Sequence, residues 1–454
     1  MKGAMKGIAL ASMTLVCAAA CGSSGGGDAA DDASDANDTG ALGDTGATDS
    51  RAADDVSTDA PRTDATGDSS TDGGTTCTTD VPAPFEGGAS YYAKWSHGPP
   101  STPDFFPISV WLQSPSNAAK YTPLGINQYV GLYGGPTESD LTTLTKNKMP
   151  AFGDQNAVSL AHLSDPILRG WTQQDEPDNA QPDGSGGYGP CIDPGVIVAN
   201  YGKWVGADAT RPVFLSFGQG AADTAYIGRG SACASKTDMY PKYIAGADVL
   251  SFDIYPVNNA AGTSAPKLWM VAQGVDNLRG WAADKKPVWV WIETTAIDGK
   301  AKPTPAQLRM EVWSALVHGA LGIGYFVHVF NPSFIEAGLL ADATMTKAVT
   351  DVDAQIAALA PVLNSPTIGS AVKVTTTDAT IPIDVMVKRH AGKTYVFAVG
   401  MRDGKNGATF DVTCLGASAK ATVLGESRTL DVVGGKFTDT FDPYAVHLYE
   451  ITPD

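Results

Sequence analysis

Two glutamates, Glu176 in GWTQQDEPDN and Glu293 in PVWVWIETT, each stand where an apolar run with the character of a buried strand gives way to polar loop residues. Carboxylates so placed are candidates for acid, base or nucleophile chemistry, because the loops after the strands of a parallel α/β barrel build its active site. They lie 117 residues apart, room for two intervening strand and helix units. A lone glutamate after a strand would mean little, whereas two at the same level of a serial pattern form a candidate pair.

The elements that must position them follow from periodicity. Eight short runs are apolar on both faces, as strands of a covered parallel sheet are: Phe106 to Leu112, Gln128 to Tyr133, Pro150 to Gly153, Ile167 to Gln173, Pro212 to Gly218, Val249 to Tyr255, Pro287 to Glu293 and Gly322 to Phe330. Helical stretches are expected at Glu138 to Asn147, Asp193 to Val205, Pro266 to Asp284, Thr304 to Gly319 and Thr344 to Leu363. Eight alternations predict an α/β fold, a (β/α)8 TIM barrel over 81–364. From 365 to 454 short alternating runs with Gly and Asp turns predict a C-terminal antiparallel β-sandwich. All nine tryptophans precede it, so it reads as structural rather than as a sugar-binding module.

Strand alternation places Trp289, Trp291 and Glu293 on one face, with Val288, Val290 and Ile292 toward the helices. The Glu293 carboxylate is therefore expected to point into the barrel. By the same count Ser251, Asp253 and Tyr255 converge on the mouth. Two tryptophans inside one strand need small neighbours, and Gly322 and Gly324 on the next strand would make room.

The N-terminus bears on location. Lys2 and Lys6 precede an apolar stretch, Ile8 to Val16, too short to span a bilayer, then Ala18, Ala19, Ala20 and Cys21. This is the layout of a secretory signal over 1–20, and its end resembles the bacterial lipoprotein cleavage site, with Cys21 lipidated and the protein anchored to the cell envelope. Residues 22–80 hold 14 Asp and two Arg, a net −12 of the chain's −18, and almost no large apolar side chain. Such a segment cannot offset the entropy of ordering and reads, over 21–80, as a disordered tether. The acidic balance thus describes the tether and implies no cationic substrate, and no basic cluster points to nucleic acid. Cys191 and Cys233 flank one βα unit in loop-like surroundings, so in an exported chain a bridge between them is expected; Cys77 and Cys414 pair or stay free.

On these residues the chain resembles the large clan A of retaining glycoside hydrolases, which carry a (β/α)8 barrel and often a small β-sandwich after it. Their acid/base glutamate follows the fourth strand and their nucleophile ends the seventh, which are the positions of Glu176 and Glu293; the tail FDPYAVHLYEI is similar to the closing strand of such accessory domains. The resemblance implies double displacement at a β-glycosidic bond of an oligo- or polysaccharide, with the carboxyls about 5–5.5 Å apart. One departure is Asp175 of DEP, where the clan has asparagine binding the 2-hydroxyl: its charge would raise the pKa of Glu176, or it marks a different substrate. His328, where the clan commonly has tryptophan, implies a more polar subsite. Tyr255 would orient Glu293 or stabilise its charge. Trp95, Trp171 and Trp291 are stacking surfaces or core, and Asp253, Asp154 and Lys94 candidates for substrate hydroxyls.

Other chemistries find less support. The six histidines show no metal-ligand spacing, and neither a nucleophile elbow nor a phosphate loop is present, so no metal or cofactor is expected and the protein reads as a monomer. Two rivals stay open: a non-catalytic carbohydrate-binding surface lipoprotein on the same scaffold, and a hydrolase using Asp175 or Asp253 in place of one glutamate.

Overall fold

The computed structural model describes residues 77, 80–83, 87–226, 233, 236–260 and 265–453; the signal segment 1–20, Cys21 and most of the tether lie outside them. Eight parallel strands close into a barrel: β1 Ile108–Trp111, β2 Gln128–Val130, β3 Ala151–Gly153, β4 Leu168–Thr172, β5 Val213–Phe217, β6 Val249–Asp253, β7 Val288–Glu293 and β8 Gly322–Phe326. The helices among the described residues are α1 Gly88–Tyr91, α2 Ala118–Tyr121, α3 Glu138–Asn147, α4 Ala157–Ala161, α5 Pro194–Ala207, α6 Tyr240–Ile244, α7 Pro256–Asn259, α8 Met270–Trp281, α9 Pro305–Val317 and α10 Ala343–Leu363. Local sequence sets their starts. Thr137 with Asp140 and Thr304 with Gln307 form reciprocal caps on α3 and α9, and Pro305 sits where a missing N–H costs nothing.

The alternation argument holds for the barrel interior. Trp289 and Trp291 join Phe152, Phe214 and Phe326 in a core inside the barrel, while Val288, Val290 and Ile292 pack outward against helices. Trp289 pairs with Gly322 and Trp291 with Gly324. A methyl group on Gly324 would lie 2.1 Å from the Trp291 ring and one on Gly322 2.5 Å from the Trp289 ring, so the glycines are the space the tryptophans occupy. From below, Tyr92 accepts the Trp289 indole N–H at 3.0 Å and Tyr91 donates to the Asp248 carbonyl just before β6. The lead-in segment thus plugs the floor of the barrel, at the N-terminal ends of the strands.

After α10 the chain forms eight antiparallel strands: β9 Val372–Thr376, β10 Ile383–His390, β11 Lys393–Gly400, β12 Asn406–Val412, β13 Ser418–Val423, β14 Arg428–Val433, β15 Lys436–Phe441 and β16 Val446–Pro453. They make one sheet in the order β10-β11-β16-β13-β14-β15-β12-β9. The sheet curls until its ends meet over a core of its own, bringing Phe410 of β12 and Phe437 of β15 within 5.5 and 4.9 Å of Tyr449 on β16. Trp313 of α9 meets Phe397 of β11 across the junction with the barrel. The bridge present is Cys77–Cys414. The expected Cys191–Cys233 bridge is not formed: both are unbridged thiols, brought into hydrogen-bond contact with each other but not joined.

His318, at the end of α9, is held between Asp276 of α8 at 2.9 Å and Asp384 of β10 at 3.2 Å. Burial alone would lower its pKa, but the two carboxylates overcome this and lift it to about 9. A raised folded pKa gives stability that is full below the unfolded value near 6.5 and lost as pH rises through about 9. Thermal melting of the parent is therefore expected to fall across that window relative to a His318→Asn variant, whose profile lacks this slope.

Candidate active site

Four carboxylates gather at the C-terminal mouth. Glu176 follows β4, with its N–H bonded to the Ser216 carbonyl of β5 at 3.0 Å. Its φ is +43°, left-handed backbone that a glutamate adopts at a cost of about 1–3 kcal/mol, strain of the kind found at functional sites. Asn179 donates to Oε2 at 3.3 Å. Gly218, after β5, leaves the carboxylate room: a Cβ there would lie 3.0 Å from Oε1. Asp175 is exposed beside it.

Asp253 ends β6. Burial raises its pKa well above the usual range, and the nearby charges of Glu176 and Asp175 raise it further. Tyr255 hydrogen-bonds it, while its Oδ1 is buried and has no partner in the protein. Burial in the same surroundings raises the Tyr255 pKa well above its ordinary value and keeps Tyr255 neutral. Asp178, which the sequence pattern did not single out although it closes the acidic string DEPD, accepts from the Gly218 N–H and the Tyr240 hydroxyl, both at 2.9 Å. Burial and the Glu176 charge lift it to about 6. It fixes the β5 loop against the β4 loop.

The structure thus brings together Asp175, Glu176, Asp253 and Tyr255. Asp154, at the end of β3, accepts from Thr172 of β4 at 2.9 Å and is exposed at the same end of the barrel. His328 lies beyond β8, ring to ring at 5.0 Å with Phe326, which in turn lies 5.0 Å from Tyr255. It is 2% exposed, burial lowers its pKa to about 4, and its Nε2 meets the Tyr133 hydroxyl at 2.8 Å, so it is a neutral wall residue.

Other expected site residues lie elsewhere. Glu293 does not open into the mouth: it is 0% exposed, with Oε1 taking the Val257 N–H at 2.6 Å and Oε2 the Asn258 N–H at 2.9 Å. Beyond these it meets Glu311 of α9 in the outer layer, so the carboxylate turns aside although its strand position points inward. Trp171 is core outside the barrel, donating to Asp208 at 3.1 Å. Trp291 is core within it, its indole N–H shared by Ser216 and Ser251, each at 3.2 Å. Lys94 and Trp95 belong to the floor plug, Lys94 over the Tyr91 ring at 3.7 Å and Trp95 beside Pro212 and Gly98 at the start of β5. The tryptophan nearest the mouth is Trp111, half-buried at the end of β1 and edge-on to Trp291 at 5.0 Å. Only its place at a strand end could have singled it out.

No family model matches the sequence, and no curated protein does. Among solved structures the chain is similar to a GH30 endoxylanase from Clostridium papyrosolvens C71 at 14% identity and a TM-score of 0.43, over 77% of this chain and 96% of that one. It is similar also to an alpha-amylase from Geobacillus thermoleovorans, at 10% and 0.42 over 78% and 99%, and to a noncanonic maltogenic alpha-amylase from Thermotoga neapolitana, at 9% and 0.42 over 77% and 99%. Likenesses this distant carry no argument about activity or substrate.

Proposed function

We propose that the protein is a glycoside hydrolase acting on an oligo- or polysaccharide, with Asp253 as general acid and Glu176 as the anionic partner. The observation that carries this reading is the place of Asp253 at the barrel mouth beside Glu176: it is half-buried, its Oδ1 has no partner in the protein, and burial first, then the Glu176 and Asp175 charges, raise its pKa toward the protonated form an acid needs. Asp253 gives its proton to the glycosidic oxygen as the C–O bond breaks. Glu176 attacks the anomeric carbon, or takes a proton from the water that does. The first course is double displacement with retention and the second is inversion, and the anomer released first, read by proton NMR, decides between them. Trp111 offers a sugar-stacking face and Asp154 an acceptor for a hydroxyl. This replaces Glu293 as nucleophile, since both its oxygens are committed to N–H groups.

The test is incubation of the purified protein with a panel of polysaccharides and aryl glycosides beside an Asp253→Asn variant. Sugar release by the parent that the variant loses on unactivated substrates is the expected result. No release by the parent on any of them, with carbohydrate binding retained, would leave a lectin.

Export and lipid anchoring at Cys21 complete the reading. The Cys77–Cys414 bridge suits an oxidising compartment, and mass spectrometry of the mature N-terminus tests the anchor.

A further inference from the structure

Glu311 lies on α9, 0% exposed, and neither of its oxygens has a hydrogen-bond partner other than the Glu293 carboxyl. Two ionised carboxylates cannot share a dry contact, so one must carry the proton. Glu293 already accepts from the N–H groups of Val257 and Asn258 and from the Asn258 amide, all of which bind the anion. Glu311 has no donor facing it. The proton therefore sits on Glu311 and points at Glu293.

The groups that Glu293 holds form a turn. Val257 and Asn258 lie in α7, directly after Tyr255, and Asn258 extends the network to the Thr295 carbonyl at 2.9 Å and the Ile297 N–H at 2.8 Å. The β6 turn is thereby tied to the loop after β7. Asp253 and Tyr255 stand at the start of that turn. We infer that Glu311 is a positioning residue: its protonated carboxyl donates to Glu293, holds the Glu293 carboxylate on Val257 and Asn258, and so fixes the turn that presents Asp253 and Tyr255 to the mouth. The link to the mouth rests on the function proposed above.

Other titratable groups on the elements packed around the pair include Asp253 and Tyr255 on the β6 side, Tyr325 of β8 with Asp353 of α10, which accepts from its hydroxyl, His328 beyond β8, Arg309 on α9 and His318 at its end. Burial first, and then the Glu293 charge, raise the Glu311 pKa well above its ordinary value, while the donors around Glu293 favour its anion. A raised Glu311 pKa gives stability that is full below the unfolded value near 4.5 and lost as pH rises through the folded one. Above that range the pair would carry two charges and the turn would loosen.

Glu311→Gln keeps a donor toward Glu293 and cannot titrate; Glu311→Leu keeps neither property. Hydrogen exchange at the amides of residues 254–260, followed against pH by mass spectrometry and corrected for intrinsic rates, reads the turn without any substrate. Protection in the parent is expected to fall by up to about tenfold per pH unit as Glu311 loses its one proton, a fall that Glu311→Gln lacks. Glu311→Leu, where it folds, is expected to lose at least tenfold at every pH; where it does not, the pH profile of Glu311→Gln against the parent carries the test. Parallel pH profiles for the parent and Glu311→Gln, or a Glu311→Leu variant as protected as Glu311→Gln, would overturn the inference. Because exchange needs no turnover, failure of the hydrolase reading would appear separately, as an inactive parent with the exchange pattern intact.

Discussion

Asp253→Asn is expected to fold as the parent does and to lose about 10²–10⁴-fold in kcat on polysaccharide, the range a general acid contributes. The loss should depend on the leaving group. A sugar hydroxylate cannot depart without a proton, whereas a dinitrophenolate can, so a dinitrophenyl glycoside should remain a good substrate for Asp253→Asn. Glu176→Ala should fail on both, and if Glu176 is a nucleophile small anions such as azide should restore its turnover and give the glycosyl azide of inverted configuration. The pH profile carries the same assignment. Asp253 must hold its proton to act, and burial with the Glu176 and Asp175 charges raises its pKa; activity should therefore fall on the alkaline side as Asp253 ionises. Asp175→Asn removes one of those charges, lowers the Asp253 pKa and should move that limb to lower pH. Should Asp253→Asn lose both substrates equally with an unchanged pH profile, Asp253 is not the acid.

Much of this could be read in the chain. Eight apolar runs marked the eight barrel strands, and the pairing of Trp289 and Trp291 with Gly322 and Gly324 followed from side-chain size and alternation alone. Glu176 and Asp253 were placed at strand ends by the same count. What alternation gives is the direction in which a Cβ leaves its strand, and the last residue of a strand has two further bonds with which to turn. Glu293 uses them to reach N–H groups and a carboxyl whose proximity depends on α7 and α9. Glu311 in RMEVWSALV reads as an ordinary helical glutamate, because nothing local shows that both sides of that helix are covered: the sheet lies on one and β11 on the other. Lys94 and Trp95 were misplaced for a related reason, since a lead-in segment carries no mark of which end of the barrel it will cross.

Glu293→Ala separates the two roles open to that residue. As a nucleophile it could be removed with little harm to the fold, and turnover would vanish at full stability. As an anchor it cannot be removed so cheaply: three donors, the N–H groups of Val257 and Asn258 and the Asn258 amide, lose their acceptor inside the protein, where an unsatisfied group costs about 1–3 kcal/mol. The amide keeps the Thr295 carbonyl, which softens its share. The expected loss is therefore about 3–5 kcal/mol in urea unfolding, comparable to breaking a buried ionic contact. Glu293→Gln keeps one acceptor oxygen, and its new N–H groups can face Glu311, so it should fall between Ala and the parent. Whatever fraction of either variant remains folded should still cleave a dinitrophenyl glycoside, because Glu176 is untouched. Full stability with complete loss of that residual activity would return the nucleophile's role to Glu293.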